Sequence, residues 1–355
     1  MTKERVNEID LLRFFAAISV VLFHYAFRGY AADGLSTMPY PWLAPYAKYG
    51  YLGVQLFFMI SGFVILMTAS GGSLRSFVIS RIVRLYPAFW ACCTLTFGLI
   101  CWLNVPAFQA SWQQYLVNVT MMSGFVGVPS IDNAYWSLFV ELKFYALVAI
   151  VLLVGRIHQV ERWLWLWLII SMANQFVNSG KVGLLLLTNY SAFFIAGAGY
   201  YLIWSRGVSL SRLMMVLLVW GLGTWQAFVP LAEFEHHYAT GMSRTAVAAI
   251  IAGFFVMLMV ISLRRTGWIG QRRWLLAGVL TYPLYLLHQN IGFMLFQLSY
   301  PAWNPHLLLW GVVALMCVAA YLVHRLVEQC VAGPLKRTLS GALDGGGGGK
   351  LRRQP

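Results

Sequence analysis

Apolar residues in this chain come in long blocks rather than in alternation. Residues 13–25, RFFAAISVVLFHY, show the pattern, with an arginine opening and a histidine near the end of an otherwise hydrophobic run. A helix crossing a hydrocarbon core needs roughly 17–25 such residues. Windows of that kind fall at 9–27, 49–69, 86–104, 135–154, 162–178, 182–204, 211–228, 244–263, 275–298 and 306–326. They predict an all-α polytopic membrane protein of about ten transmembrane helices, because strands of a membrane barrel would show shorter segments of period two. No repeat of fixed period runs through them. The first block is long enough to span and has no small-residue cleavage site after it, so MTKERVNEIDLL is expected to lead into a first helix and not a removed signal.

Composition agrees with the blocks. The chain is 60% hydrophobic and 10% charged over 355 residues, against roughly 25% charged in soluble domains. Its five cysteines lie in or beside apolar runs without a CxxC pair, which indicates neither a disulfide framework nor a zinc site.

Charge orients the helices. The net charge of +14 would suit a nucleic-acid partner only if the basic residues formed a surface patch, and they lie mostly between spans. With the N-terminus inside, 20 of the 25 Lys and Arg fall in cytoplasmic segments and only Arg28, Lys48, Lys181 and Arg244 in outer loops. Cytoplasmic loops carry such an excess, so both termini are expected in the cytoplasm, the basic loops facing anionic lipid headgroups. The lysine-free and arginine-free stretch 105–134 is expected to lie at the outer interface or fold back over the helices. One membrane domain over 1–340 precedes GALDGGGGGKLRRQP, residues 341–355, read as a disordered tail.

Ionisable residues inside spans are costly and mark functional sites. Arg13 and His24 lie 11 residues apart, about three helical turns and about 16 Å of axis, hence on one face. A snorkelling arginine and a histidine satisfied by a neighbouring helix would be the structural explanation; a charge at each end of one stripe describes a pathway. Arg81 and Arg84, in SRIVRLYP, are spaced one helical turn apart, suited to clamp a phosphate with planar guanidinium groups. Glu141, in WSLFVELKFY, lies roughly 9 Å below the outer surface, level with His24, where a carboxylate could orient an imidazole. His288, in YPLYLLHQN after Pro283, is a candidate second acid/base group, substrate ligand or structural partner. Gly53, Ser61 and Gly62 suit close packing of helices or of a ligand. Adjacent His236 and His237 in EFEHH make a poor chelating pair, and no metal is expected there.

Five stretches in register, RFFAAISVVLFH, LGVQLFFMISGF, SRIVRLYP, WSLFVELKFY and YPLYLLHQN, resemble the motifs of the membrane acyltransferase family 3, from about residue 9 to 330. Departures are Leu142-Lys143, where members often have Glu-Gln, and VEQCVAGP at the end of the last helix. The resemblance implies a bacterial inner-membrane O-acyltransferase acting on cell-surface glycans, with His24 the essential histidine and Arg13, Arg81 and Arg84 binding the acyl donor, while Glu141 and His288 fall on motif positions. The donor expected is acetyl-CoA or another acyl-CoA, without a metal, and the acceptor a hydroxyl of an extracytoplasmic glycan such as exopolysaccharide or O-antigen. A proton-coupled transporter or flippase is the rival reading, against which stands the lack of paired broken helices in two halves.

Overall fold

The computed structural model describes residues 6–31 and 34–345, with side chains to residue 341. Met1–Arg5 and 346–355, hence Lys3, Arg5 and most of the glycine-rich tail, lie outside the described residues. Among the described residues, ten long helices overlap the ten expected windows: α1 (Asn7–Ala31), α2 (Ala44–Ala69), α3 (Leu74–Leu103), α4 (Asn133–Leu153), α5 (Val160–Val177), α6 (Gly180–Arg206), α7 (Leu210–Tyr238), α8 (Arg244–Ser262), α9 (Leu275–Ser299) and α10 (Pro305–Gly341). Among the described residues there is no strand.

Eight of the ten are long and apolar enough to cross a membrane; α5 and α9 fall short. The reason differs between them. In α5 the sequence VERWLWLWLIISMANQFV dilutes its aliphatic residues with Glu161, Arg162 and Asn174. α9 needs no apolar coat, because residues 283–294 are buried by other helices. A helix wrapped in protein can carry His288, Gln289 and Asn290 where a lipid-facing one could not.

Two boundaries differ from expectation. α3 starts at Leu74, capped by the Ser73 side chain accepting from the Ser76 N–H, and runs through Pro87 without stopping. Arg75, Arg81 and Arg84 therefore stand on the first turns of this helix and not in a loop before it. α10 continues past residue 326 through a wide turn over His324–Glu328, where the Gln329 N–H bonds the His324 carbonyl, and helical backbone reaches Gly345.

Segments assigned by charge to one side meet one another. Asn7 Nδ2 donates to the Gly270 carbonyl at 2.8 Å, Thr266 donates to Glu8, and Arg75 donates to the Ser340 carbonyl. Arg212 pairs with Glu161 at 3.1 Å. At the opposite end Lys48 Nζ donates to the Gly241 carbonyl at 2.7 Å and the Ser243 N–H to Tyr49 at 3.0 Å.

The closest crossing joins α2 to α6. A Cβ on Gly197 would land on the Met59 carbonyl and one on Gly62 on the Phe194 carbonyl, so the two backbones touch where only glycine fits. Ser61 and Glu141 depend on this crossing for their placement. Gly197→Ala is expected to shift α2 from α6 and cost about 1–3 kcal/mol of stability, seen as a lower melting temperature in detergent; wild-type melting would contradict the packing described.

Candidate active site

His24 opens a wide turn in α1. The Gly29 N–H bonds the His24 carbonyl, five residues back, so residues 24–28 form one turn of π-helix inside an α-helix, a device common at functional sites. Gly29 permits it, since a Cβ there would overlap the Phe293 ring. The imidazole is buried.

Its nitrogens have distinct roles. Nδ1 lies 2.8 Å from the Val20 carbonyl and 3.2 Å from Nε2 of His288. His288 Nδ1 in turn lies 2.8 Å from the Tyr285 carbonyl. A carbonyl can only accept, so each Nδ1 carries the proton, and His24 shares its own between Val20 and the His288 Nε2 lone pair. The His24 Nε2 lone pair is thereby left outward, with Arg28 Nη1 donating towards it at 3.4 Å. The rings meet edge to face, their centroids 4.8 Å apart.

Three other groups hold His288 in place. Tyr25 donates from its hydroxyl to the His288 carbonyl at 2.6 Å, and Gly292 leaves room for the Tyr25 ring. Asp132, buried, accepts from the Asn290 N–H at 2.9 Å and the Ala134 N–H at 2.8 Å, while Asn290 Nδ2 donates to the Ile131 carbonyl. Tyr285 hydrogen-bonds Ser137 Oγ at 2.6 Å and donates to the Ala134 carbonyl at 3.0 Å. The stretch before α4 thus folds back onto α9 beside the histidines.

The arginines gather elsewhere. Arg13, Arg81 and Arg84 border both a wide vestibule of about 960 Å³ and a narrow inner cavity of about 100 Å³. Arg75 and Lys336 add charge to the vestibule, and Glu328 faces them. The Glu328 carboxylate lies 3.6 Å from Arg84 and 2.6 Å from His324 Nδ1, a placement the wide turn in α10 supplies. Arg13 also meets Asp10 at 3.9 Å. Arg81 lies over the Tyr145 ring and Arg84 over Tyr282.

Glu141 belongs to this group. The expectation that it orients His24 is corrected by its contacts: Oε1 accepts from Ser61 Oγ and from the Tyr145 hydroxyl, each at 2.6 Å, and the carboxylate borders the narrow cavity with the arginines. The neighbour His24 meets is His288. A similar expected height on two helices does not say which helices face each other.

Beyond the narrow cavity lies a third, of about 430 Å³, bordered by His24, Arg28 and Tyr51. Tyr285 borders this cavity and the narrow one. The narrow cavity thus adjoins the vestibule at the three arginines and the His24 cavity at Tyr285. Sequence reasoning passed over Tyr285 and Tyr145 as site residues and Asp132 as a brace, and weighed Ser61 only as a packing or ligand contact. An Asp-Asn pair just before a helix is a capping signal, and it was the available clue to Asp132.

Burial raises the Asp132 carboxyl to about 6 from 3.8, its two N–H partners offsetting only part of the effect. A folded-state value above the unfolded one means the native protein holds this proton more tightly. The contribution of Asp132 to stability is therefore most favourable below about pH 3.8 and declines as pH rises through about 6. Asp132→Asn, neutral throughout, is expected to flatten that part of the profile in detergent melts taken from pH 4 to 7; an unchanged slope would assign it to other groups.

Comparison with known proteins places the chain. Residues 6–325 match the family described as "Acyltransferase domain". "Nodulation protein 10" of Rhizobium leguminosarum bv. viciae is 28% identical over 371 aligned residues, covering 91% of this chain and 92% of that one. "Putative membrane-bound transacylase BcsY" of Komagataeibacter xylinus is 26% identical, covering 92% and 83% respectively. "O-acetyl transferase" of Shigella phage Sf6 is 34% identical over 98 residues, 27% of each chain. No solved structure matches. With a match over nearly its whole length and a helical membrane fold, the chain belongs to the acyltransferase 3 family, a multi-pass membrane acyltransferase.

Proposed function

We propose that this protein transfers an acetyl group from acetyl-CoA on the cytoplasmic side of the bacterial inner membrane to a hydroxyl of an extracytoplasmic glycan. One observation carries the reading: a narrow cavity shares the three arginines with the vestibule on one side and Tyr285 with the His24 cavity on the other. A polyanionic nucleotide suits the arginine end, and the basic segments around it suit the cytoplasmic side. A thin pantetheine arm can follow the narrow cavity to the imidazole. Relatives named as a transacylase and an O-acetyl transferase support the same class of reaction.

Each residue then has a task. Arg13, Arg81 and Arg84 bind the donor phosphates, and Glu141, held by Ser61 and Tyr145, sets the position of charge beside them. His24 Nε2 takes the proton of the acceptor hydroxyl as its oxygen attacks the thioester carbonyl carbon. The carbon–sulfur bond breaks, and the thiolate leaves with a proton from the imidazolium. Val20 and His288 hold the other ring nitrogen through both steps, the orienting role expected of Glu141.

Purified protein in sealed proteoliposomes, given labelled acetyl-CoA on one side and a glycan acceptor on the other, tests this. His24→Ala is expected to lower transfer by about 10²–10⁴, with donor binding retained. Arg81→Lys and Arg84→Lys, which keep charge and lose the planar fork, are expected to raise the donor KM with a smaller change in kcat. Full transfer by His24→Ala would remove the histidine from the mechanism, and label crossing the membrane without a covalent product would make the protein a transporter.

A further inference from the structure

The cavity beyond His24 has a composition of its own. Two aromatic clusters border it. In one, Trp136 and Tyr190 lie with ring centroids 5.7 Å apart. In the other, Tyr51 and Phe234 lie 4.9 Å apart, backed by Tyr238. Asn189 and Glu233 are exposed polar groups on its border, and Trp136 is 39% exposed despite its size. The Tyr51 hydroxyl is buried and has no hydrogen-bond partner. Burying an unpaired hydroxyl costs the fold free energy, and this one, on a cavity border, gains most from a ligand that pairs it.

We infer that this cavity is the acceptor subsite and that it takes one neutral pyranose ring, its apolar face on the Trp136–Tyr190 cluster, one hydroxyl paired with Tyr51 and another presented to His24 Nε2. The inference rests on the proposed function for the role of His24. Flat aromatic faces meet the C–H face of a sugar, while amide, carboxylate and phenol groups meet its hydroxyls. At about 430 Å³ the cavity falls within the roughly 300–1,000 Å³ typical of small-ligand sites. A lipid tail would leave Tyr51 and Glu233 unpaired, and the molecule has a different, almost wholly apolar cavity, between Leu147 on α4 and Leu164 on α5, that suits one. Glu233 on the border disfavours the carboxylate of an acidic sugar, and Arg28, a cation on the same border, is directed at the His24 ring.

The test uses the full chain in nanodiscs, methyl glucoside, galactoside and mannoside with methyl glucuronide as acceptors, and labelled acetyl-CoA as donor. Tyr51→Phe removes only the unpartnered hydroxyl, so melting is expected to stay the same or rise, while the KM for the accepted pyranoside rises about tenfold, the loss of one hydrogen bond. Trp136→Ala is expected to raise it at least as much and Trp136→Tyr to restore most of the loss. The KM for acetyl-CoA and the hydrolysis of acetyl-CoA without acceptor are expected to be unchanged in all three. An unchanged pyranoside KM in Tyr51→Phe and Trp136→Ala, or preference for the glucuronide, would overturn the subsite. Saturation-transfer NMR of the same pyranosides needs no reaction. Pyranoside binding lost in Trp136→Ala, in a protein that transfers nothing, would keep the subsite and reject the transferase; no saturable pyranoside binding would reject the subsite itself.

Discussion

A polar atom inside a hydrocarbon slab has no water to turn to, so each one must find its partner within the protein. In this chain that requirement decides which helices face each other. His24 on α1 and His288 on α9 satisfy a nitrogen of each other, Tyr25 of α1 reaches the His288 carbonyl, and Gly292 gives the Tyr25 ring its space. Separating α1 from α9 would strand the His288 Nε2 lone pair and the Tyr25 hydroxyl at once. Because the tautomers of both rings follow from the carbonyls beneath them, the same contacts that hold the helices together also leave one basic nitrogen pointing at an open cavity. Stability and reactivity here share their hydrogen bonds.

Much of this was legible beforehand. The interval between Arg13 and His24 is set within a single helix, where 3.6 residues per turn fixes both height and direction, and the structure puts Arg13 on the narrow cavity and His24 on the one beyond it. The basic loops were legible for a similar reason, since each is short and its charge is local. Glu141 was not. Its height matched that of His24, but its partners are set by how α2, α4 and α9 are rotated against one another, and that rotation follows from backbone contacts such as Gly62 on α6, which no single helix records. Arg81 and Arg84 were read before a span because a hydropathy window stops at charge; the backbone does not, and the cap at Ser73 carries the helix through them.

The two wide turns are a shared solution to a shared difficulty. Each begins at a histidine, His24 in α1 and His324 in α10, and each shifts the phase of its helix by part of a turn. One brings Arg28 beside the imidazole and the other brings Glu328 onto Arg84 and His324. An unbroken α-helix repeats its directions too regularly to point neighbouring polar side chains at one target, and an inserted residue relaxes that regularity.

A passage lined at one end by arginines and at the other by histidines is also, in principle, a route for ions, and a cytoplasmic membrane lives on the gradient that such a route would discharge. The narrow cavity and Tyr285, its hydroxyl tied to Ser137 and the Ala134 carbonyl, stand where that route would have to be continuous. On the proposed reading a slender thioester arm can be threaded there while a hydrated ion, which needs its water around it, finds no room. On that reading the tyrosine is also electrical insulation, letting two compartments trade an acyl group without sharing their voltage.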